Sequence, residues 1–292
     1  PSWAIIPFEQ LNPQWKVLQI DGQSPIQKDF TSQGYPLTVN FGLSADPGIS
    51  NPPLTNRTVD KFTDIMLTGV TALVRGTALT MERKGITHPG EDIAPFTTQV
   101  DFLHVNNEIP FTPDCPFPEL YPEKLVFCSA ISYLELLEYI GADILEVSGD
   151  HFGDHGLEGT LFTLDLYDEV GWPYYGGGRN LEDGRQPLLI EHNGNQIAIF
   201  GCNAKGSDYY APADEVTPGA VPCDFDWMDR EISRLKAEGY LVIVTLQHIE
   251  YYSYEAQPNL VRDFGRMVEA GATIVSGSQS HQAHGFAFQN GA

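Results

Sequence analysis

The stretch DFDWMDREISRLKAEGYLVIVTL, residues 224–246, decides the fold class. Asp224 has the form of a helix N-cap, Ile232 and Leu235 fall on one face with Glu231 and Lys236 outside, and Gly239 supplies a stop, so a helix is expected over 224–238. The run Tyr240 to Leu246 after it, apolar but for Thr245, reads as a strand buried on both faces. Helix, glycine stop and buried strand together are the repeating unit of an α/β domain.

Reading outward, the alternation continues in both directions. Downstream, Val261 to Ala270 is predicted helical with Gly271 closing it, Ala272 to Ser276 is a strand, and Gly285 to Phe288 a last strand. Upstream, strands are expected at Val100–Val105, Ala142–Val147 and Gln196–Phe200. Helices are expected at Ser129–Ile140, with Ile131, Leu134, Leu137 and Tyr139 inward, and at Leu157–Val170, with Leu157, Leu161, Leu164 and Val170 on one stripe. The first 60 residues differ. Trp3–Phe8 and Trp15–Gly22 look like two short strands, and Pro36, Pro47, Gly48, Pro52 and Pro53 mark a connector. Two strands without a helix bury too little to fold alone, so this segment packs on the α/β domain or belongs to an upstream one.

The 292 residues are 42% hydrophobic, enough for one large domain or two modest ones. Sixteen Lys and Arg against 39 Asp and Glu give a formal charge of -23, a field that repels phosphate backbones and excludes nucleic acid and anionic headgroups as partners. No apolar run reaches the ~20 residues of a membrane helix, so membrane attachment would need segments outside this sequence. The sequence opens at Pro1 without Met or a leader-like segment, and something upstream is expected. Cys115 and Cys128 flank a Pro-rich loop and Cys202 and Cys223 a Gly/Pro/Asp-rich one. Two local disulfides in an oxidising compartment or four buried thiols both satisfy this pattern, whereas neither pair has the short spacing of a zinc site.

Functional groups in open α/β sheets collect after the C-terminal ends of strands. Glu108 follows the strand ending at Val105, Asp150 and His151 the one ending at Val147, His248 and Glu250 the one ending at Leu246, and His281 the one ending at Ser276. With Asp64, which follows Val59–Phe62, they form a carboxylate and imidazole set suited to a divalent cation such as Mn, Mg, Ca, Fe or Zn held without thiolate. The densest cluster, Gly149-Asp150-His151-Phe152-Gly153-Asp154-His155-Gly156, puts two His, two Asp and three flanking Gly in one loop, where backbone and side chains can both meet a ligand. Its alternative is a polar turn capping the next helix. Gly176-Gly177-Gly178-Arg179-Asn180 lacks the strand-then-helix setting of a phosphate loop and reads as an ordinary turn. Tyr174-Tyr175, Tyr209-Tyr210 and Tyr251, Tyr252 and Tyr254 offer stacking surfaces for sugar rings or partial burial.

The order of these motifs resembles the capsule-biosynthesis (CapA-type, poly-γ-glutamate) family of the calcineurin-like metallophosphoesterase superfamily. The family's Asn-Asn-His-x-x-Asp-x-Gly signature is similar to Gly149–Gly156, its Asn-x-Glu motif to Asn106-Asn107-Glu108, its Gly-Asp strand end to Thr63-Asp64, its Glu-Tyr motif to Glu250-Tyr251 and its closing Gly-x-His-x-His to Gly277–His281. The resemblance implies a layered α/β/β/α sandwich over residues 59–292, C-terminally incomplete. Residues 1–58 resemble the tail of a solute-binding-type domain plus a linker.

The resemblance implies one of two functions. One is an extracytoplasmic metal-dependent hydrolase of a phosphoester or polymer linkage. There Asp64, Glu108, Asp150, His248 and His281 hold metal, His151 and Asp150 act at the reacting bond and Glu250 or His248 positions water. The other is a catalytically degenerate surface protein that binds an anionic polymer, glycan, solute or cation. The departures weigh on this choice: the family's first His before Glu-Tyr falls on Leu246, its first closing His on Gln279, its first-motif Gly on Thr63, and an Asn on Asp150. Leu deletes a ligand and Gln offers only a weak neutral oxygen. A polyanion also meets the repulsion of the -23 surface unless cations bridge or a local basic patch exists.

Overall fold

The computed structural model describes residues 3–42 and 55–289, Val59 through its backbone alone. Backbone contacts divide the chain between Phe62 and Thr63. In the first unit Phe8–Gln10 forms a 3-10 turn and Ile20 and Gln23 a single antiparallel bridge. The two expected strands do not form among the described residues, because neither finds a partner strand to pair its backbone. Arg57 organises this unit instead, donating from Nε to the carbonyl of Pro25 at 2.7 Å and lying over the rings of Phe62 at 4.6 Å and Phe30 at 5.2 Å. Pro47, Gly48, Pro52 and Pro53 of the expected connector lie outside the described residues.

The second unit carries the strands β1 Ile65–Thr71, β2 Phe102–Asn107, β3 Phe111–Thr112, β4 Ser129–Ala130, β5 Ala142–Glu146, β6 Tyr174–Tyr175, β7 Gly177–Gly178, β8 Leu188–His192, β9 Asn195–Asn203, β10 Gly219–Ala220, β11 Leu241–Gln247 and β12 Ile274–Gly277. Its helices are α1 Arg75–Lys84, α2 Ala94–Thr97, α3 Leu134–Tyr139, α4 Gly156–Val170, α5 Leu181–Gly184, α6 Phe225–Ala237 and α7 Pro258–Ala270. Among the described residues there are two four-stranded sheets, ordered β1-β2-β5-β6 and β12-β11-β9-β8. Every pairing in them is parallel except the β8–β9 hairpin.

Side-chain alternation divides each strand between two cores. Leu103, Val105, Leu145 and Val147 pack with Met81, Leu137 and Tyr167 from α1, α3 and α4. Ala198, Phe200, Val242, Val244 and Leu246 pack with Met228, Ile232, Leu235 and Met267 from α6 and α7. The opposite parity, Ile144, Tyr175, Ile197, Ile199 and Ile243, meets between the sheets. This is the α/β/β/α sandwich. Asp224 caps α6, accepting from the backbone N–H of Trp227 at 3.1 Å, as its sequence implies.

Other expectations shift. Ser129–Ala130 is a strand rather than a helix start, because Ser129 N–H pairs with Pro110 O and its hydroxyl with Leu73 O. The buried stripe of α4 is Thr160, Thr163, Leu164 and Tyr167, whereas Leu157 and Val170 are exposed. Val59–Lys61 is a 3-10 turn, and Gly285–Phe288 is irregular with Phe286 exposed.

Candidate functional site

The layer between the sheets changes character along the strands. Toward the N-terminal ends it is apolar, with Ile65, Leu67, Phe102 and Ile243. Toward the C-terminal ends the same parity presents His104, Asn106, Glu146, Asn203, Thr245 and Gln247, all buried. Glu146 Oε2 stands 3.3 Å from His104 Nε2, which is 2.7 Å from the Tyr175 hydroxyl, itself 3.1 Å from Thr245 Oγ1. Burial opposes ionisation of Glu146, but His104, Ser148 and Asn106 together hold its pKa below the ordinary carboxylate value. Ser278, just beyond β12, donates to Gln247 Oε1 at 2.8 Å and to Glu146 Oε1 at 3.4 Å, while its carbonyl accepts from Val70 N–H on β1 at 2.9 Å. A continuous buried polar network thus joins the two sheets at one edge.

At the outer end of that network lie Glu108 and Asp150, 3% and 8% exposed. Gly149 lets their loops approach: a Cβ there would sit 2.5 Å from Glu108 Cα. Gln247 Nε2 donates to Glu108 Oε1 at 3.0 Å and to Asp150 Oδ1 at 3.1 Å, and also meets Gln279 Oε1. Lys205, on the loop after β9, places Nζ 2.5 Å from Asp150 Oδ2. Burial, with the hydrogen bond and charge of Asp150, pushes the Glu108 carboxyl well above its ordinary value. Against its own burial, Asp150 is held down to about 2 by its hydrogen bond with Glu108 and by the Lys205 ammonium. The two carboxyls are therefore coupled, with the proton favoured on Glu108 and the negative charge on Asp150.

His151 forms the rim. Its Nδ1 lies 2.8 Å from Asp154 Oδ2, which also accepts from Phe127 N–H at 2.7 Å. Its Nε2 is 3.9 Å from Asp150 Oδ2 and its side chain is 23% exposed. Both disulfides brace this edge. Cys115–Cys128 adjoins Phe127, whose ring packs edge-on at 4.9 Å from His151, and Cys202–Cys223 closes the segment that carries Lys205.

Of the residues expected at the site, Glu108, Asp150 and His151 come together there. Asp64 lies at the opposite edge: it precedes β1, and its backbone is bonded to Asp101 beside the start of β2. Within β1 the pairing with β2 is irregular between Leu67 and Val70, where Gly69 lies, and Val70 stands opposite Asn106. His248 turns away to Asp263, Nε2 to Oδ2 at 3.0 Å, while its Nδ1 accepts from Ile249 N–H at 2.8 Å. Both ring nitrogens are engaged, leaving no lone pair for a ligand. His281 pairs with Glu250, Nδ1 to Oε1 at 2.9 Å, and is 51% exposed.

Lys205 and Gln247 lie outside the set of site residues expected from the sequence. The signal for Gln247 is parity: Leu246 belongs with Val242 and Val244 facing the helices, so the next residue faces the inter-sheet layer. No local pattern marks Lys205, which reaches Asp150 only through the fold.

The donor set does not fit a two-cation centre. Among the described residues no group of three or more His, Cys, Asp or Glu is arranged to hold a metal ion. The two carboxylates already meet an ammonium and an amide N–H, and a cation would have to displace both.

A family description for bacterial capsule synthesis protein, PGA_cap, matches residues 64–292. The chain is 24% identical over 242 residues to the capsule biosynthesis protein CapA of Bacillus anthracis, covering 80% of this chain and 58% of that protein. It is 26% identical over 213 residues to the PGA biosynthesis protein CapA of Bacillus subtilis (strain 168), covering 72% of this chain and 55% of that protein. The chain thus spans little over half the length of the curated relatives it matches.

Proposed function

Because the chain belongs to the bacterial capsule synthesis protein family, we propose that it handles an anionic capsule polymer of the poly-γ-glutamate class by binding it, outside the cytoplasm, rather than by cleaving it with bound metal. One observation carries this reading: the carboxylates at the strand-end edge are engaged internally by Lys205 and Gln247, which leaves no open coordination position for a metal-activated water. His151, held by Asp154 and partly exposed at the rim, supplies a donor for one carboxylate of the polymer. The domain's overall field opposes a polyanion, but it is screened beyond about 8 Å at physiological salt, so groups at the rim decide contact. The two disulfides support an oxidising compartment.

The test is titration of a γ-linked glutamate oligomer into the purified chain at physiological salt. Saturable binding that weakens at least about fivefold (~1 kcal/mol) in His151→Ala is expected. No binding at millimolar oligomer overturns the reading. The same His151–Asp154 pair favours a second reading, hydrolysis with His151 as general acid. Manganese-dependent turnover of a phosphodiester that disappears in His151→Ala would establish it instead.

A further inference from the structure

We propose that Lys205 and Gln247 are a protein-borne substitute for a bound cation: the Lys205 ammonium and the Gln247 amide occupy the positions on Glu108 and Asp150 that a divalent ion would take. The inference concerns the same edge as the binding reading above, rests on the geometry alone, and deepens that reading by assigning its charge balance to the chain itself. Two placements support it. Lys205 Nζ is 2.5 Å from Asp150 Oδ2 with its side chain 13% exposed, a contact that neutralises the ionised carboxylate from the rim side. Gln247 Nε2 touches Glu108, Asp150 and Gln279 together, and so bridges ligand oxygens from three loops as a single ion would. The loop bearing Lys205 is anchored for this purpose: Lys205 N–H donates to Asn203 Oδ1 at 2.9 Å, Asn203 Nδ2 donates to Ser148 O at 2.8 Å, and Cys202–Cys223 closes the segment.

The experiment uses the full chain and Mn2+ alone. After dialysis against Mn2+ and removal of free ion, the parent chain is expected to retain none, and 1 mM Mn2+ to leave its Tm unchanged. The double variant Lys205→Met/Gln247→His withdraws the ammonium and supplies an imidazole beside the carboxylates. It is expected to bind about one Mn2+ and to gain about 3 °C or more in Tm with 1 mM ion. A folded double variant that ignores Mn2+ overturns the proposal. So does a parent chain that retains about one equivalent and loses it in Glu108→Gln/Asp150→Asn. A readout on the parent chain covers the case of a variant that does not fold: reductive methylation with peptide mapping should find Lys205 at least about tenfold less reactive than exposed lysines, with or without Mn2+. Unmasking of Lys205 by Mn2+ means the ion displaces it, and overturns the proposal. Failure of glutamate-oligomer binding with these results intact would sink the polymer reading and leave this one standing.

Discussion

Lys205 Nζ and Asp150 Oδ2 meet at 2.5 Å across 55 residues of sequence, the ammonium arriving on the loop after β9 and the carboxylate on the loop after β5. The contact joins one sheet to the other at the edge where the polar network ends. Removing one member of a largely buried charge pair leaves the other without compensation, which costs about 3 kcal/mol or more. Lys205→Met should lower the unfolding free energy by that amount in urea denaturation. Adding Asp150→Asn should recover roughly half of it; strictly additive losses would mean that the contact carries no energy.

The opposite pKa shifts of Glu108 and Asp150 set opposite pH limits. Glu108 has a raised pKa in the fold, so its contribution is complete below the unfolded value near ~4.3 and is lost as pH rises through the folded value. Asp150 has a lowered one, so its contribution is present above about 4 and lost as pH falls toward about 2. Stability profiles against pH should therefore flatten on the rising-pH side in Glu108→Gln and on the acid side in Asp150→Asn. Parallel profiles for both variants and the parent chain would contradict this assignment.

Gly149 permits the approach of the Glu108 and Asp150 loops. Gly149→Ala introduces a Cβ 2.5 Å from Glu108 Cα and 2.8 Å from its carbonyl oxygen, atoms of the backbone that cannot swing aside. A loss of about 2 kcal/mol or more is expected in denaturant unfolding, with an altered environment at His151 in its imidazole resonances. Parent-like stability would show that the two loops are not held this closely.

Cys202–Cys223 spans 21 residues and carries Lys205 and Tyr210 inside its loop. Cys202→Ala/Cys223→Ala should lower stability by about 3 kcal/mol under non-reducing conditions. Thiol titration of the denatured parent chain should find no free thiol before reduction and four after it.

His248 accepts at Nδ1 from Ile249 N–H and faces Asp263 with Nε2, which specifies the tautomer that carries its proton on Nε2. Nitrogen-15 chemical shifts of the His248 ring at neutral pH check this directly. A proton on Nδ1, or a ring shift on adding Mn2+, would return His248 to the candidate ligands.

The sandwich was legible because its strands and helices announce themselves locally. Residues 241–246 are apolar but for Thr245, and 225–237 have a cap, an apolar stripe and a glycine stop. The α4 stripe was misread because two threonines, Thr160 and Thr163, occupy its buried face by bonding their hydroxyls to helix carbonyls, which a count of apolar residues does not see. The proximity of Glu108, Asp150 and His151 was legible because each follows a strand of the same parallel sheet. Asp64 was misplaced by assigning its segment to the end of a strand rather than the beginning, a difference of one element that moves it to the far edge.

The sequence by itself determined the two layers of strands and helices, the strand ends that Glu108, Asp150 and His151 follow, and the family resemblance, since periodicity, caps and motif order are properties of neighbouring residues. Only the tertiary structure decided what that edge contains. Strand parity turned Leu246 into the helix-facing core and Gln247 into the centre, and loop packing delivered Lys205 to Asp150. Charge compensation between buried groups depends on distances of a few ångströms between segments tens of residues apart, and those distances exist only once the two sheets have packed.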